Sequence, residues 1–170
     1  MKPQRSQTSP DSTPADLITQ HCADILASPT MGMEARCIQH GTTSVLEHSV
    51  AVAAMAITLA TRCHIAVDEQ ALTRGSLLHD YFLYDWHDPE PWHRLHGFRH
   101  PFIACDNAIR DFGIGTHEQS MIRTHMFPLV PLPPTTREAW LLCIADKIVA
   151  TGETVEGFHN RIASRKEARA

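Results

Sequence analysis

"TTSVLEHSVAVAAMAITLATRCH", residues 42–64, is the stretch of sequence that decides the fold. Ser44 and Glu47 stand three residues apart at the start of an apolar run, which is the capping-box pattern of a helix N-terminus. Apolar residues then recur at spacings of three and four, as on the buried face of a helix: Val45, Val52, Met55 and Leu59. The stretch therefore predicts a core helix, and His48 on the same face is predicted to point inward.

Outward from this stretch, the chain shows further helical signals and no convincing period-two alternation. Thr13 with Pro14, and Asp68, are predicted to begin helices, and Gly113 and Gly152 are predicted to end them. The predicted helices cover 15–28, 31–41, 44–64, 69–84, 100–113, 116–127, 135–152 and 154–170. We therefore predict an all-α fold with a single domain at 14–170, after a disordered tail at 1–13.

Length and composition limit the class of protein. A chain of 170 residues fits one domain with a sizeable core. The net charge of −4 gives no electrostatic reason to expect nucleic acid as the main partner. Residues 1–16 hold no hydrophobic segment and no apolar run reaches about 18 residues, so we expect neither a signal peptide nor a membrane span. Five dispersed cysteines without a C-x-x-C pattern are typical of a reducing compartment, so a cytoplasmic location is predicted.

Two His-Asp dipeptides lie close together in "GSLLHDYFLYDWHDPEPWHRLHGFRH", residues 75–100. His87-Asp88 precedes a proline in a polar loop, where a solvated surface pair is the better interpretation. His79-Asp80 follows two leucines inside a predicted helix, where a buried carboxylate is costly unless it is paired or binds a metal. Asp146 repeats this anomaly within "LLCIADKIVA".

Together with the inward-facing His48, these residues make four costly polar positions that one cation would satisfy: His48, His79, Asp80 and Asp146. For His48 taken alone, a hydrogen-bonded core histidine is the alternative.

The order H…HD…D, carried by these four residues, resembles the HD-domain superfamily of metal-dependent phosphohydrolases over roughly residues 40–152. The resemblance implies an all-α HD-domain helical bundle. The subset of that superfamily with two metals has two more histidines between the HD pair and the last aspartate. His100 in "FRHPFIACDNAI" and His125 in "IRTHMFP" are similar to these. Their alternatives are an exposed residue at a helix N-terminus for His100 and a C-terminal histidine favoured by the helix dipole for His125.

This resemblance implies a dinuclear site with six ligands: His48, His79, Asp80, His100, His125 and Asp146. Such nitrogen and oxygen donors suit divalent Mn, Fe, Co, Ni or Zn. Asp80 could bridge two ions, and a water between them would become a hydroxide that attacks phosphorus. We therefore predict a metal-dependent phosphohydrolase, with His79 and Asp80 at the catalytic centre, that acts on a small phosphate ester or a nucleotide.

Four further residues are candidates for binding the substrate: Arg99, Lys147, His40 and His96. Each has a plain alternative, either a solvated surface charge or a hydrogen-bonded loop histidine.

Two departures from the family pattern bear on the substrate. Many relatives carry a lysine three residues after the HD pair, whereas "HDYFL" has Leu83 there. The glycine-tyrosine-proline signature of the enzymes that cleave cyclic dinucleotides is missing after His125. Two alternatives stay open: a di-iron oxygenase of the HD type, and a catalytically silent module that binds a nucleotide. The complete ligand set argues against the second. The sequence does not indicate the oligomeric state.

Overall fold

The computed structural model describes residues 12–40 and 43–167, and this part of the chain is a helical bundle with one small hairpin. Its elements are α1 (Pro14–Leu26), α2 (Met31–Glu34), β1 (Ile38–His40), β2 (Thr43–Ser44), α3 (Val45–Arg62), α4 (Glu69–Leu77), a 3₁₀ helix (Pro91–Leu95), α5 (His96–Phe112), α6 (Thr116–Thr124) and α7 (Arg137–Glu167). The predicted all-α fold is confirmed. Residues 1–11 of the predicted tail lie outside the described residues, so their predicted disorder stays a prediction.

Helix α3 lies at the centre of the bundle and packs against α4, α7 and α1. The predicted capping box of Ser44 with Glu47 begins α3, and the predicted cap Thr13 begins α1, where it forms a capping box with Asp16. By length and composition alone α3 is apolar enough to cross a membrane. Its small buried residues, among them Ala53 and Ala56, instead let neighbouring helices approach closely, which makes it a core helix.

The hairpin is a correction, because no strand was predicted. β1 and β2 pair antiparallel, with Ile38 opposite Ser44 and His40 opposite Thr43. Strands of three and two residues are too short to show a period of two in the sequence. They form because β1 packs against α3 and α7, which lie far away along the chain.

The helix predicted at 69–84 was too long, because α4 ends at Leu77 and His79-Asp80 lie in the turn that follows. In a continuing helix the Ser76 carbonyl would accept a hydrogen bond from the amide of Asp80. Here it accepts one from Nδ1 of His79, at 2.8 Å. Farther along, Leu83 has a left-handed φ of 62°, and its amide donates to Glu34 Oε1 at 3.1 Å. Side-chain partners therefore replace the helical hydrogen bonds.

Other boundaries near the site also differ from the prediction. The helix predicted at 31–41 was too long, because α2 ends at Glu34 and β1 follows it. Helix α5 begins at His96, so His100 lies in its second turn and does not open it. Helix α7 passes through Gly152 and continues to Glu167, where two helices were predicted. A glycine inside a helix costs only about 1 kcal/mol relative to alanine, which continued hydrogen bonding offsets. As a result, Asp146 and Glu153 lie on one helix.

Candidate metal centre

The six predicted ligands come together from five parts of the chain. α3 supplies His48, the turn after α4 supplies His79 and Asp80, and α5 supplies His100. His125 caps the C-terminus of α6, and Asp146 lies on α7. All six are buried, with at most 8% of any of them exposed.

The first half of the cluster contains His48, His79 and Asp146, together with the Oδ2 atom of Asp80. Asp146 Oδ1 lies 3.3 Å from His48 Nε2 and 3.7 Å from His79 Nε2. Asp80 Oδ2 lies 3.5 Å from His79 Nε2 and 3.9 Å from His48 Nε2. Two imidazole nitrogens and two carboxylate oxygens therefore point at one small volume.

The second half of the cluster contains the other oxygen of Asp80. Asp80 Oδ1 lies 3.1 Å from His100 Nε2 and 3.6 Å from His125 Nε2. The two Nε2 atoms of these histidines are themselves 2.9 Å apart. Asp80 therefore lies between two sets of histidines, with one oxygen facing each set.

Backbone carbonyls orient three of the four rings. Nδ1 of His79, His100 and His125 lies 2.7–3.0 Å from the carbonyl oxygens of Ser76, His96 and Ile122, respectively. A carbonyl only accepts, so each Nδ1 carries the hydrogen, and the neutral ring presents a lone pair at Nε2. This is the tautomer that binds metals through Nε2.

The donors present fit a divalent metal ion. Among the described residues, the buried Nε2 of His79 has no hydrogen-bond partner. The Nε2 atoms of His100 and His125 are 2.9 Å apart, and their lone pairs would repel each other unless a proton or a cation lies between them. Imidazole and carboxylate donors suit first-row divalent ions. A bound cation would satisfy every one of these buried groups, each of which is costly without a partner.

The electrostatics keep both carboxylates anionic. Burial alone would raise the pKa of Asp146, but its interaction with His48 and the nearby charge of His79 outweigh burial and hold the pKa below the usual range. Burial opposes ionisation of Asp80 as well, and the charges of His79 and His100 bring its pKa well below the usual range. Burial and the same two neighbouring charges lower the pKa of His125 to about 3, so its ring is neutral. Anionic carboxylates and a neutral His125 are the states that metal binding requires. At His48 and His79 burial is outweighed by the carboxylates, which raise the pKa values of both rings, so a metal ion would have to displace their protons.

A cavity of about 540 Å³ opens onto the cluster. Asp80, His100, His125 and Asp146 line its inner end. Apolar side chains form one part of the wall, among them Trp86, Met126, Pro128 and Leu129. A volume of this size is within the range of about 300–1,000 Å³ that is typical of small-molecule sites.

The four predicted substrate-binding residues are placed differently from one another. Lys147 and His96 line the cavity, whereas Arg99 is exposed and is not one of its lining residues. The side chain of His40 lies outside what the structure describes. Burial and the charge of His100 lower the pKa of His96 to about 4, so a neutral ring faces the cavity.

Arg94, a second cationic residue that was not predicted from the sequence, also lines the cavity. Lys147 Nζ donates to the carbonyls of His125 at 3.0 Å and Cys143 at 3.3 Å, which holds it at the edge of the site. The other dipeptide, His87-Asp88, lies exposed in a loop, where His87 contacts Asp85.

Gln39 is another functional residue that the sequence analysis missed. It is buried on β1, and its Nε2 donates to Asp80 Oδ2 at 2.5 Å. Its Oε1 has no hydrogen-bond partner among the described residues, and Gln39 lines the cavity. No local pattern marks this residue, because the hairpin brings it to Asp80.

Glu153 was missed because a helix end was predicted at Gly152. Its Oε2 lies 2.9 Å from Nδ1 of His48, which places the carboxylate behind a predicted ligand. Burial disfavours charge on His48, but the hydrogen bonds to Asp146 and Glu153 outweigh it and raise its pKa to about 10. The seven-residue spacing from Asp146 to Glu153 is two helical turns, and this signal could have revealed it.

We expect Glu153→Ala to weaken metal binding by roughly 10- to 100-fold, because His48 loses the carboxylate that orients its ring. Glu153→Gln should recover part of the loss, since the amide oxygen still accepts from Nδ1. Competition with a chromogenic chelator measures the affinity. Glu156→Ala, an exposed change one turn later on α7, is the control and should bind as the wild type does. Unchanged affinity in Glu153→Ala would show that Glu153 has no part in the centre.

Comparison with known proteins identifies one family. The family model of the HD domain matches residues 45–151, which is more than half of the chain. No curated protein and no solved structure matched the chain. The matched segment contains the whole histidine and aspartate cluster, while Gln39 and Glu153 lie just outside its two ends. The chain therefore belongs to the HD-domain superfamily, whose members are mostly metal-dependent phosphohydrolases.

Proposed function

We propose that the protein is a metal-dependent phosphohydrolase that cleaves a small phosphate ester or a nucleotide. The observation that carries the proposal is the position of Asp80, whose Oδ2 lies near His79 and His48 and whose Oδ1 lies near His100 and His125. This arrangement supports two ions: one held by His48, His79, Asp80 and Asp146, and the other by Asp80, His100 and His125. Bound divalent ions would supply an acidified water as the nucleophile and positive charge for the phosphoryl oxygens.

The protein's own residues prepare the site before any substrate enters. Gln39 fixes the carboxylate of Asp80 through its amide N–H, while its own Oε1 is available to accept a hydrogen bond from water or from a substrate hydroxyl. The carbonyls behind His79, His100 and His125 keep these rings from rotating. Such preorganisation reduces the reorganisation that is needed when charge develops in the transition state.

Binding of the phosphate is assigned to cations at the cavity wall. Leu83, which replaces the family's lysine, is half-buried against the hydrophobic core and offers no charge. Arg94 and Lys147 line the cavity and are the residues proposed to contact phosphate oxygens. The apolar wall near Trp86 and Leu129 suits the organic part of the substrate.

The experiment is an activity panel on protein loaded with Mn, Co, Ni or Mg. Nucleoside mono-, di- and triphosphates, dinucleoside polyphosphates and a chromogenic phosphodiester are the substrates. We expect phosphate or nucleotide release with at least one substrate, and its loss on addition of EDTA, because the ions supply the nucleophile.

The panel also distinguishes the alternatives. Absence of hydrolysis with every metal, together with oxygen uptake by iron-loaded protein, would contradict the hydrolase proposal and favour a di-iron oxygenase. Tight nucleotide binding without turnover or oxygen uptake would indicate the silent binding module.

A further inference from the structure

The outward face of α7 is an apolar stripe that the described bundle does not cover. Trp140, Ile144, Ile148, Val155 and Phe158 recur at helical spacing, and each is between 42% and 64% exposed. The opposite face of the same helix is buried in the bundle through residues such as Leu142 and Ala145. A helix that is apolar on both faces is normally covered on both. The stripe therefore indicates a missing neighbour.

The second half of α7 has few neighbours apart from the contact of Glu153 with His48. Almost every residue from Thr151 to His159 is exposed or half-buried, so this part of the helix projects from the bundle. An isolated helix of this length is marginal in water, and Gly152 and Gly157 weaken it further. The projecting segment needs packing from outside the bundle to be stable.

We propose that two copies of this chain associate through α7, in antiparallel orientation about a two-fold axis. This arrangement places the projecting segment of one copy, with Val155 and Phe158, on the uncovered segment of the other, with Trp140 and Ile144. One contact thus covers both exposed surfaces. A two-fold interface uses the same patch on both subunits, as such a stripe requires.

The size of the surface fits a dimer. The stripe runs for about 27 Å along the helix. At roughly 200 Å² for a fully exposed large side chain, the exposed fractions of the five residues amount to roughly 500 Å². Exposed flanking residues such as Thr151 and Thr154 extend the face toward the ~800 Å² per partner of a stable interface. Patches of this extent are typically interaction sites.

The described charges on this face are few. They are Arg137 and Lys147, and Lys147 is engaged by two backbone carbonyls. The described part of the face is therefore mainly apolar, as the buried centre of a contact between two copies requires. Binding to a membrane surface is the other outcome that the test below separates.

The test is the mass of the protein in solution, measured by light scattering after gel filtration over a range of concentrations. We expect the wild type at twice the chain mass of 19.0 kDa. Phe158→Glu and Ile144→Glu should weaken the dimer by at least about 100-fold, because each buries an unpaired carboxylate twice in a symmetric interface. Ile109→Glu on α5, a position 37% exposed, is the matched control and should stay dimeric.

Circular dichroism separates loss of the dimer from loss of the fold. Phe158 is 64% exposed on the projecting segment, so its replacement should leave the bundle folded. A wild type that is monomeric at every concentration would overturn the proposal, and so would a dimer that persists in both variants. Monomeric wild type that sediments with phosphatidylglycerol vesicles would overturn it in favour of a membrane surface.

Discussion

Asp80→Ala is expected to abolish metal binding and to reduce activity below roughly 1% of wild type, because loss of even an outer-shell partner of a metal ligand costs 10- to 100-fold. Asp80 is the residue that faces both halves of the cluster, with Oδ2 near His79 and Oδ1 near His100. Its removal also leaves Gln39 without its acceptor. Metal content by elemental analysis and hydrolysis of the best substrate in the panel are the measurements.

Asp88→Ala is the matched control, since Asp88 belongs to the other His-Asp dipeptide and lies exposed in a loop. It should keep both metal and activity. Asp80→Asn preserves the shape of the side chain and guards against a folding defect in the alanine variant. Retention of metal by folded Asp80→Asn, or loss of metal in Asp88→Ala, would overturn the assignment of the site.

Two metal ions per chain are expected, and His125→Ala should reduce the number to one. The reason is that His100 and His125 face Asp80 Oδ1, whereas His48 and Asp146 lie next to each other and His48 is nearest to Oδ2 of Asp80. Loss of one imidazole leaves the second ion with one ring and one carboxylate oxygen from the protein. Titration of metal-free protein, with elemental analysis of the product, gives the stoichiometry. Activity should fall at least about 100-fold.

His87→Ala, which removes an exposed loop histidine, is the control and should keep two ions. If the wild type saturates at one ion per chain with full activity, His100 and His125 are structural. The mechanism then reduces to one ion and its water.

The sequence determined the features that depend on residues close together in the chain. The capping residues Thr13 and Ser44 predicted the starts of α1 and α3, because the side chain of a capping residue bonds to a backbone N–H only three residues later. Apolar spacing placed His48 on the inward face of α3, since helical periodicity is local. The residues that now lie together as candidate ligands were named from such patterns and from the resemblance to the HD family.

Tertiary structure decided the features that depend on residues far apart. Gln39 reaches Asp80 across 41 positions, and no local pattern could predict that contact. Glu153 reaches His48 across 105 positions, and its spacing from Asp146 could place it on the same face of α7 but could not identify His48 as its partner. The same holds for the end of α4, where Glu34 binds the Leu83 amide and replaces helical hydrogen bonds.

Gly152 shows why a local signal can mislead. Glycine often ends a helix, but its cost inside one is only about 1 kcal/mol, which tertiary contacts can offset. In α7 the hydrogen bond between Glu153 and His48 lies directly after this glycine. Local chemistry thus selected the residues of the candidate centre, and packing between distant segments set how they face one another.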